Sequence, residues 1–240
     1  MLEELLSKLK MEGALQSLQS VNKSSTSKES FTIGLLQAEV EHREHRLGKR
    51  RLSQAKFPTE KEWFDIDPDL NPGIDFTKVK DLGDGSFVSE RKNLCLLGQQ
   101  GTGKTHSLVA LGRQLCRKRI TVKFYTACGL VNELEEAKNN HKIQSFMQSL
   151  LRPQLLIIDE LGFIPFSESG ARLLFDVFTS RYERGSIAVS SNLSLDKWIE
   201  VFGSVELTGA LLDRFTHNCH IFTYTGESVR MMHAEKRLLK

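Results

Sequence analysis

Apolar residues recur at three- and four-residue spacing through the first twenty positions: Met1, Leu2, Leu5, Leu6 and Leu9, then Ala14, Leu15 and Leu18. That spacing predicts one apolar stripe of an amphipathic helix, or of two short helices broken near Gly13. Residues 22–30, NKSSTSKES, hold no apolar side chain and read as a polar linker. Helical spacing returns from Phe31 to about Ala55 and stops at Phe57-Pro58. Residues 1–57 are therefore expected to form a small helical domain. Residues 58–90 carry Pro68, Pro72, Gly73, Gly83 and Gly85 and predict an irregular connection, with a short helix just before Asn93.

Beyond Asn93 the period alternates. NLCLL predicts a strand, and Lys104 to Lys118 a helix; TVKFY predicts a strand, and about 128–150 a helical stretch. QLLIID predicts the third strand, followed by a helix over 168–183. SIAVSSN, a helix over 205–216 and the strand HIFTY complete the series. Strand and helix in alternation imply an α/β fold, a parallel sheet covered on both faces, over residues 91–240.

Composition narrows the class. The 240 residues are 40% hydrophobic and 26% charged, as in a soluble globular protein. No apolar run approaches the roughly 18 residues that span a bilayer, so no membrane association is expected. The opening MLEELLSKLKMEG is charged throughout and lacks the form of a secretory signal. Cys95, Cys116, Cys128 and Cys219 form no C-x-x-C pair, which fits reduced thiols and a cytoplasmic location.

The net charge of +3 is unevenly spread. Residues 41–56 hold six Arg/Lys against two Glu, whereas residues 60–90 hold nine acids against three lysines. Arg43, Arg46, Lys49, Arg50 and Arg51 sit at spacings that put most of them on one helix face, suited to DNA phosphates. A solvated helix face is the plain alternative. His42 and His45 at i, i+3, and the cluster His217, Cys219 and His220, read as solvated and packing residues rather than zinc ligands. No Ser-His-Asp set or transposase-type carboxylate set is evident.

The chemistry is concentrated in LLGQQGTGKTH. Gly98, Gln99, Gln100, Gly101, Thr102, Gly103, Lys104 and Thr105 fit G-x-x-x-x-G-K-[ST] between a strand and a helix, with His106 next. Glycines let the backbone wrap so that its N–H groups face phosphate oxygens, and the helix N-terminus adds positive charge. Lys104 is expected at the β/γ-phosphates of ATP and the Thr105 hydroxyl on Mg²⁺. LLIIDE places two carboxylates at the end of a buried strand: Asp159 for Mg²⁺, and Glu160 as base for an attacking water, hence a hydrolase. Asn192, ending the next strand, could touch the γ-phosphate or the water, or be a turn residue. The order of the three motifs favours the former. Arg214 in LLDRF is either a cation for a neighbouring subunit's γ-phosphate or a helix-end arginine held by the macrodipole.

These elements, in this order, resemble the AAA+ ATPases, specifically the initiator and helicase-loader branch that includes DnaA and DnaC. Within it the chain is similar to the IstB-like helper ATPases of insertion-sequence transposition. The likeness is carried by LLGQQGTGKTH, LLIIDELGFIPF, RYERGSIAVSSNLSLDKWIEVFG and LLDRFTHNCHIFTYTGESVR, with LKMEGALQSL and EVEHREHRLGKRRLSQAKFP upstream. It implies ATP-promoted homo-oligomers on duplex DNA, with little sequence preference, and delivery of that DNA to an IstA-like transposase. A DnaC-like loader of a replicative helicase is the alternative, since the nucleotide motifs are common to both.

By position, the resemblance assigns Lys104 and Thr105 to Walker A, Asp159 and Glu160 to Walker B, Asn192 to sensor I and Arg214 to the arginine finger. Arg230 takes the place of the family's last arginine, with a sensor-II-like role. The chain ends soon after it, so no helical lid is expected. Gln99-Gln100 and Val229 depart from the usual Pro-Thr and aromatic residues without removing a phosphate contact. The helical insertion near 128–151 fits the initiator branch. Its Lys138, Lys142 and Phe146 could track a phosphate backbone, or the segment could simply cover the sheet edge.

Overall fold

The computed structural model describes residues 1–67, 76–226, 228, 229, 231 and 232. They divide into two compact units, Met1–Arg51 and Leu52–Lys240.

The first unit contains α1 (Leu2–Lys8), α2 (Glu12–Ser24) and the start of α3 (Lys28–Ala55). The expected linker over 22–30 is mostly helix: α2 runs on to Ser24 and α3 begins at Lys28. Its polar residues serve as caps. The Ser27 hydroxyl accepts from the Ser30 amide at 3.1 Å, and the Ser30 hydroxyl accepts from the Ser27 amide at 3.0 Å. Leu6, Ala14 and Leu35 form a small core with Met11, Leu18, Val21 and Phe31. At the start of α2 a Cβ on Gly13 would lie 2.3 Å from the His42 Cβ, so glycine permits the close approach to α3. Buried Glu39 uses that proximity, accepting the Gly13 and Ala14 amides at 2.8 and 3.2 Å and Arg43 Nε at 2.5 Å. Burial pushes its carboxyl up. Arg43 and the two amides more than offset this and hold it below its ordinary value.

The second unit is built on β1 (Asn93–Gly98), β2 (Val122–Thr126), β3 (Leu155–Leu161), β4 (Ser186–Ser191) and β5 (Cys219–Tyr224). All pairings are parallel, in the order β2-β3-β4-β1-β5. Side chains alternate between two cores, as parallel strands covered on both faces require. Leu94, Leu96, Leu155, Ile157 and Ala188 face one cluster, whose helix is α6 (Lys104–Arg117) through Leu108, Leu111 and Leu115. Cys95, Leu156, Ile158, Ile187 and Val189 face the other. That side is covered by α7 (Ala127–Asn139), α8 (Ile143–Leu151), α9 (Glu168–Arg181) and α11 (Val205–Thr216).

The expected single helical stretch over 128–150 is broken into α7 and α8 at Asn140-His141-Lys142, where His141 has φ 56°. The connection after residue 57 is more ordered than expected, with a 3₁₀ turn at Trp63–Asp65, α4 (Phe76–Asp81), a second 3₁₀ turn at Leu82–Asp84 and α5 (Ser86–Ser89). A 3₁₀ turn at Leu195–Trp198 and α10 (Ile199–Phe202) had no counterpart in the sequence reading. Trp198 and Phe202 sink into the core there. Buried Arg181 donates to the carbonyls of Leu150, Gln154 and Ser186 at 2.6, 3.1 and 2.9 Å, joining the end of α8 to the starts of β3 and β4. Among the described residues, no helix is long and apolar enough to cross a membrane.

A candidate nucleotide-binding site

Every phosphate-loop residue sits where β1 hands over to α6. Gly98, Gly101 and Gly103 have φ of 142°, 80° and 98°, a region that side-chain-bearing residues rarely enter. Space is the second constraint. A Cβ on Gly98 would lie 2.2 Å from the Tyr224 carbonyl oxygen, and one on Gly101 2.0 Å from Ser228 Oγ. The loop encloses its own lysine: Lys104 Nζ donates to the carbonyls of Gly98 and Gln99 at 2.6 and 2.7 Å. Gly98 and Gln99 thus hold the lysine from behind. Gln100 to His106 face a cavity of about 590 Å³.

The end of β3 supplies the carboxylates. The pairing of β3 with β4 slips between Ile158 and Leu161, and Glu160 has φ 61°. A bulge of this kind re-aims a side chain that strict alternation would misdirect. Buried Asp159 accepts a hydrogen bond from Thr105 Oγ1 at 3.1 Å and another from Ser190 Oγ, while exposed Glu160 lines the cavity with Ser190 and Asn192. The Ser190 hydroxyl also accepts the Glu160 amide at 3.0 Å. Burial pushes the Asp159 carboxyl above its ordinary value, and Ser190, Thr105, the Glu160 amide and Lys104 restrain the rise. Ser190 was absent from the sequence reading. Its place, in the pair of serines that ends β4, lay in SIAVSSN.

The far wall was also unforeseen. Thr59, Lys61, Asp65, Ile66, Asp67 and Phe76 line the cavity from the segment expected to be a mere connection. This strap is clasped to α6. Glu62 Oε1 accepts from Arg113 Nε at 2.7 Å, and its carboxylate also pairs with Arg117. Trp63 Nε1 donates to Gln114 Oε1 at 2.6 Å, and His106 Nε2 lies 3.0 Å from the Glu62 carbonyl oxygen. Burial raises the Glu62 carboxyl, but Arg117 and Arg113 outweigh it and hold the group below its ordinary value of 4.5. The clasp is therefore complete above that pH and is lost as pH falls through a lower folded value. Glu62→Ala is expected to weaken binding of a fluorescent ATP analogue about tenfold, the worth of one charge-assisted contact. Titration at pH 7.5 checks this; unchanged affinity would remove the strap from the site.

The remaining sequence-read residues are dispersed. Arg214 is outside this cavity. It donates to the Ala210 carbonyl at 2.7 Å, lies over the Phe175 ring at 5.9 Å, and lines a separate cleft beside Asn93 at the opposite ends of the strands. Arg230 lies outside the described residues. Lys138 and Lys142 are exposed, with Lys138 Nζ 3.0 Å from Ser169 Oγ, whereas Phe146 packs against the core. In the first unit Arg43 is engaged by Glu39, and Arg46 faces Glu12 at 3.6 Å. Lys49 and Arg50 are exposed and Arg51 half-buried.

The residues present suit a magnesium nucleoside triphosphate. The cavity volume falls within the roughly 300–1,000 Å³ of small-molecule sites. The loop's glycines leave room for close phosphate approach. The Thr105 hydroxyl and Asp159 carboxylate are adjacent hard-oxygen donors of the kind Mg²⁺ accepts.

Residues 4–237 match the model of the family of IstB-like ATP binding proteins. An ATP-binding protein of insertion sequence IS21 from Pseudomonas aeruginosa is 35% identical over 239 residues, which span 98% of this chain and 90% of that one. AMPPCP-bound DnaA from Aquifex aeolicus is similar in fold, with a TM-score of 0.54 and 22% identity over 68% of this chain and 50% of that one. A DnaC helicase loader gives a TM-score of 0.50 and 23% identity over 62% and 87%. Both have the AAA+ arrangement of P-loop sheet and covering helices.

Proposed function

The chain belongs to the IstB-like ATP-binding protein family, and from that premise we propose that it is a magnesium-dependent ATPase that assembles on duplex DNA and assists a partner transposase. The carrying observation is the division of the catalytic set. Lys104, Thr105, Asp159, Glu160 and Asn192 meet at or beside one cavity, whereas Arg214 stands at the opposite ends of the strands. A second copy, turned so that its Arg214 reaches this cavity, would complete the site. ATP would then hold copies together, and hydrolysis would release them.

Within one copy each group has a task. Lys104 neutralises β/γ-phosphate charge, and Thr105 with Asp159 holds the metal. Glu160 takes the proton of the attacking water, while Asn192 orients that water or the γ-phosphate. Bound Mg²⁺ supplies charge neutralisation at the phosphates. The protein works in the cytoplasm, where the DNA and the transposase are. The insertion-sequence setting of the relatives supports the transposase partner.

The basic face of α3 supports the DNA partner. Phosphate contacts there give sequence-tolerant, salt-sensitive binding. Replacing Lys49, Arg50 and Arg51 together by Gln is expected to flatten log K against log salt by about 2 to 3, at roughly 0.9 per phosphate contact. ATP affinity should stay unchanged. Fluorescence anisotropy with a long duplex across a salt series measures the slope, and imaging with and without ATP reports assembly. A wild-type slope in the folded variant would favour a helicase-loading role instead.

A further inference from the structure

The cleft that holds half-buried Arg214 also contains an exposed guanidinium. Arg91, in the turn before β1, lines the same cleft, along with buried Arg181, Asn93, Glu183 and Asn218. The two arginines share one rigid base. The Asn93 amide donates to the Asn218 carbonyl at 2.7 Å, and its side-chain Nδ2 donates to the Phe215 carbonyl at 2.9 Å. Its Oδ1 accepts from the Ile187 amide at 2.9 Å. The turn carrying Arg91 is thereby pinned to the helix end carrying Arg214 and to the start of β4.

Arg91 itself is presented at the left-handed end of α5. Its φ is 57°, as is that of Glu183, whose carbonyl accepts Arg91 NH1 at 2.7 Å. Arg91 follows α5 and Glu183 follows α9, so each left-handed residue closes a helix end and the two ends meet across this one hydrogen bond. The cleft also has an excess of positive charge. Among the described residues, three guanidiniums line it against the single carboxylate of Glu183, and Arg181 Nε is buried without a hydrogen-bond partner.

We propose that Arg91 is a second trans-acting cation, which contacts the triphosphate bound in the neighbouring copy together with Arg214. This rests on the reading that Arg214 acts across a subunit boundary. Arg214 is half-buried and anchored to its own helix, whereas Arg91 is exposed and, among the described residues, is held by a backbone carbonyl. The pair therefore divides the work: Arg214 arrives pre-positioned, and Arg91 swings from Glu183 to the phosphates as the copies meet.

The test uses the full-length chain as Arg91→Ala and Arg91→Lys, with a fluorescent non-hydrolysable ATP analogue and long duplex DNA. Wild type is expected to bind the analogue more tightly above the assembly concentration than below it. Arg91→Ala should keep the affinity measured below assembly and lose about tenfold or more of the gain, with Lys restoring part of it. DNA-stimulated turnover of Arg91→Ala should recover on mixing with Lys104→Ala, which brings an intact Arg91 to a working nucleotide. An undiminished gain in Arg91→Ala overturns the proposal. So does rescue of Arg214→Ala but not of Arg91→Ala, which places Arg91 within its own subunit. If neither is rescued in verified mixed oligomers, the trans reading of Arg214 falls and this proposal with it.

Discussion

Glu160→Gln is expected to bind ATP with wild-type affinity and to lose at least about 10²-fold in turnover, the usual contribution of a positioned general base. The substitution leaves Lys104, Thr105 and Asp159 in place, and Gln retains the shape of the side chain. Backbone geometry should survive as well, because the Glu160 amide donates to Ser190 Oγ and that bond does not involve the carboxylate. Only proton removal from water is lost. If ATP binding holds copies on DNA, the variant should also form assemblies that persist long after wild type has released. Single-turnover phosphate release and the lifetime of DNA-bound complexes measure the two effects. Unchanged turnover would remove Glu160 from the role of base.

Arg214→Ala should lose about 10³-fold or more of DNA-stimulated hydrolysis, the range in which trans-acting arginines contribute in P-loop enzymes. Affinity of the isolated copy for nucleotide should be untouched, since Arg214 is absent from the nucleotide cavity of its own chain. Mixing with Lys104→Ala gives the decisive measurement. That partner cannot use ATP but offers an intact Arg214, so mixed interfaces should regain turnover while neither variant works alone. Absence of rescue at every ratio, with mixed oligomers demonstrated by crosslinking, would rule out action between copies. Strong loss of affinity in monomeric Arg214→Ala would point instead to misfolding of the α11–β5 junction. Arg214→Lys, which preserves the charge, would separate the two.

What could be read from sequence was whatever is local. The phosphate loop announces itself because its glycines, lysine and threonine are contiguous, and Asp159-Glu160 because two acids end an apolar strand. The parallel sheet followed from period and alternation. Features built by chain reversal were hidden. Glu62 meets Arg113 and Arg117 across more than fifty positions, so nothing near EKEW reveals that it clasps α6. The bulge at Glu160 has no residue signature, because it depends on the register of β3 against β4. Polarity misled at NKSSTSKES, where serines that looked like linker are helix caps. It was underused at Asn139-Asn140-His141, a break in the middle of an otherwise helical stretch. Charge was legible as composition but only partly as pairing: Glu39 reaches Arg43 at i, i+4 within α3, whereas Glu12 reaches Arg46 only once α2 lies against α3.

The strand order has a consequence for how the protein is made. Among the described residues β1 pairs only with β4 and β5, so the strand that launches the phosphate loop emerges from the ribosome without either partner. Its first partner, Ser186–Ser191, follows about ninety residues later. At roughly 5–20 residues per second, NLCLLG waits on the order of 5–20 s as an unpaired apolar segment. β2 and β3, adjacent in both sequence and sheet, can pair during that interval. The nascent chain therefore cannot hold nucleotide until β4 is out, and chaperones have their clearest opportunity at residues 93–98.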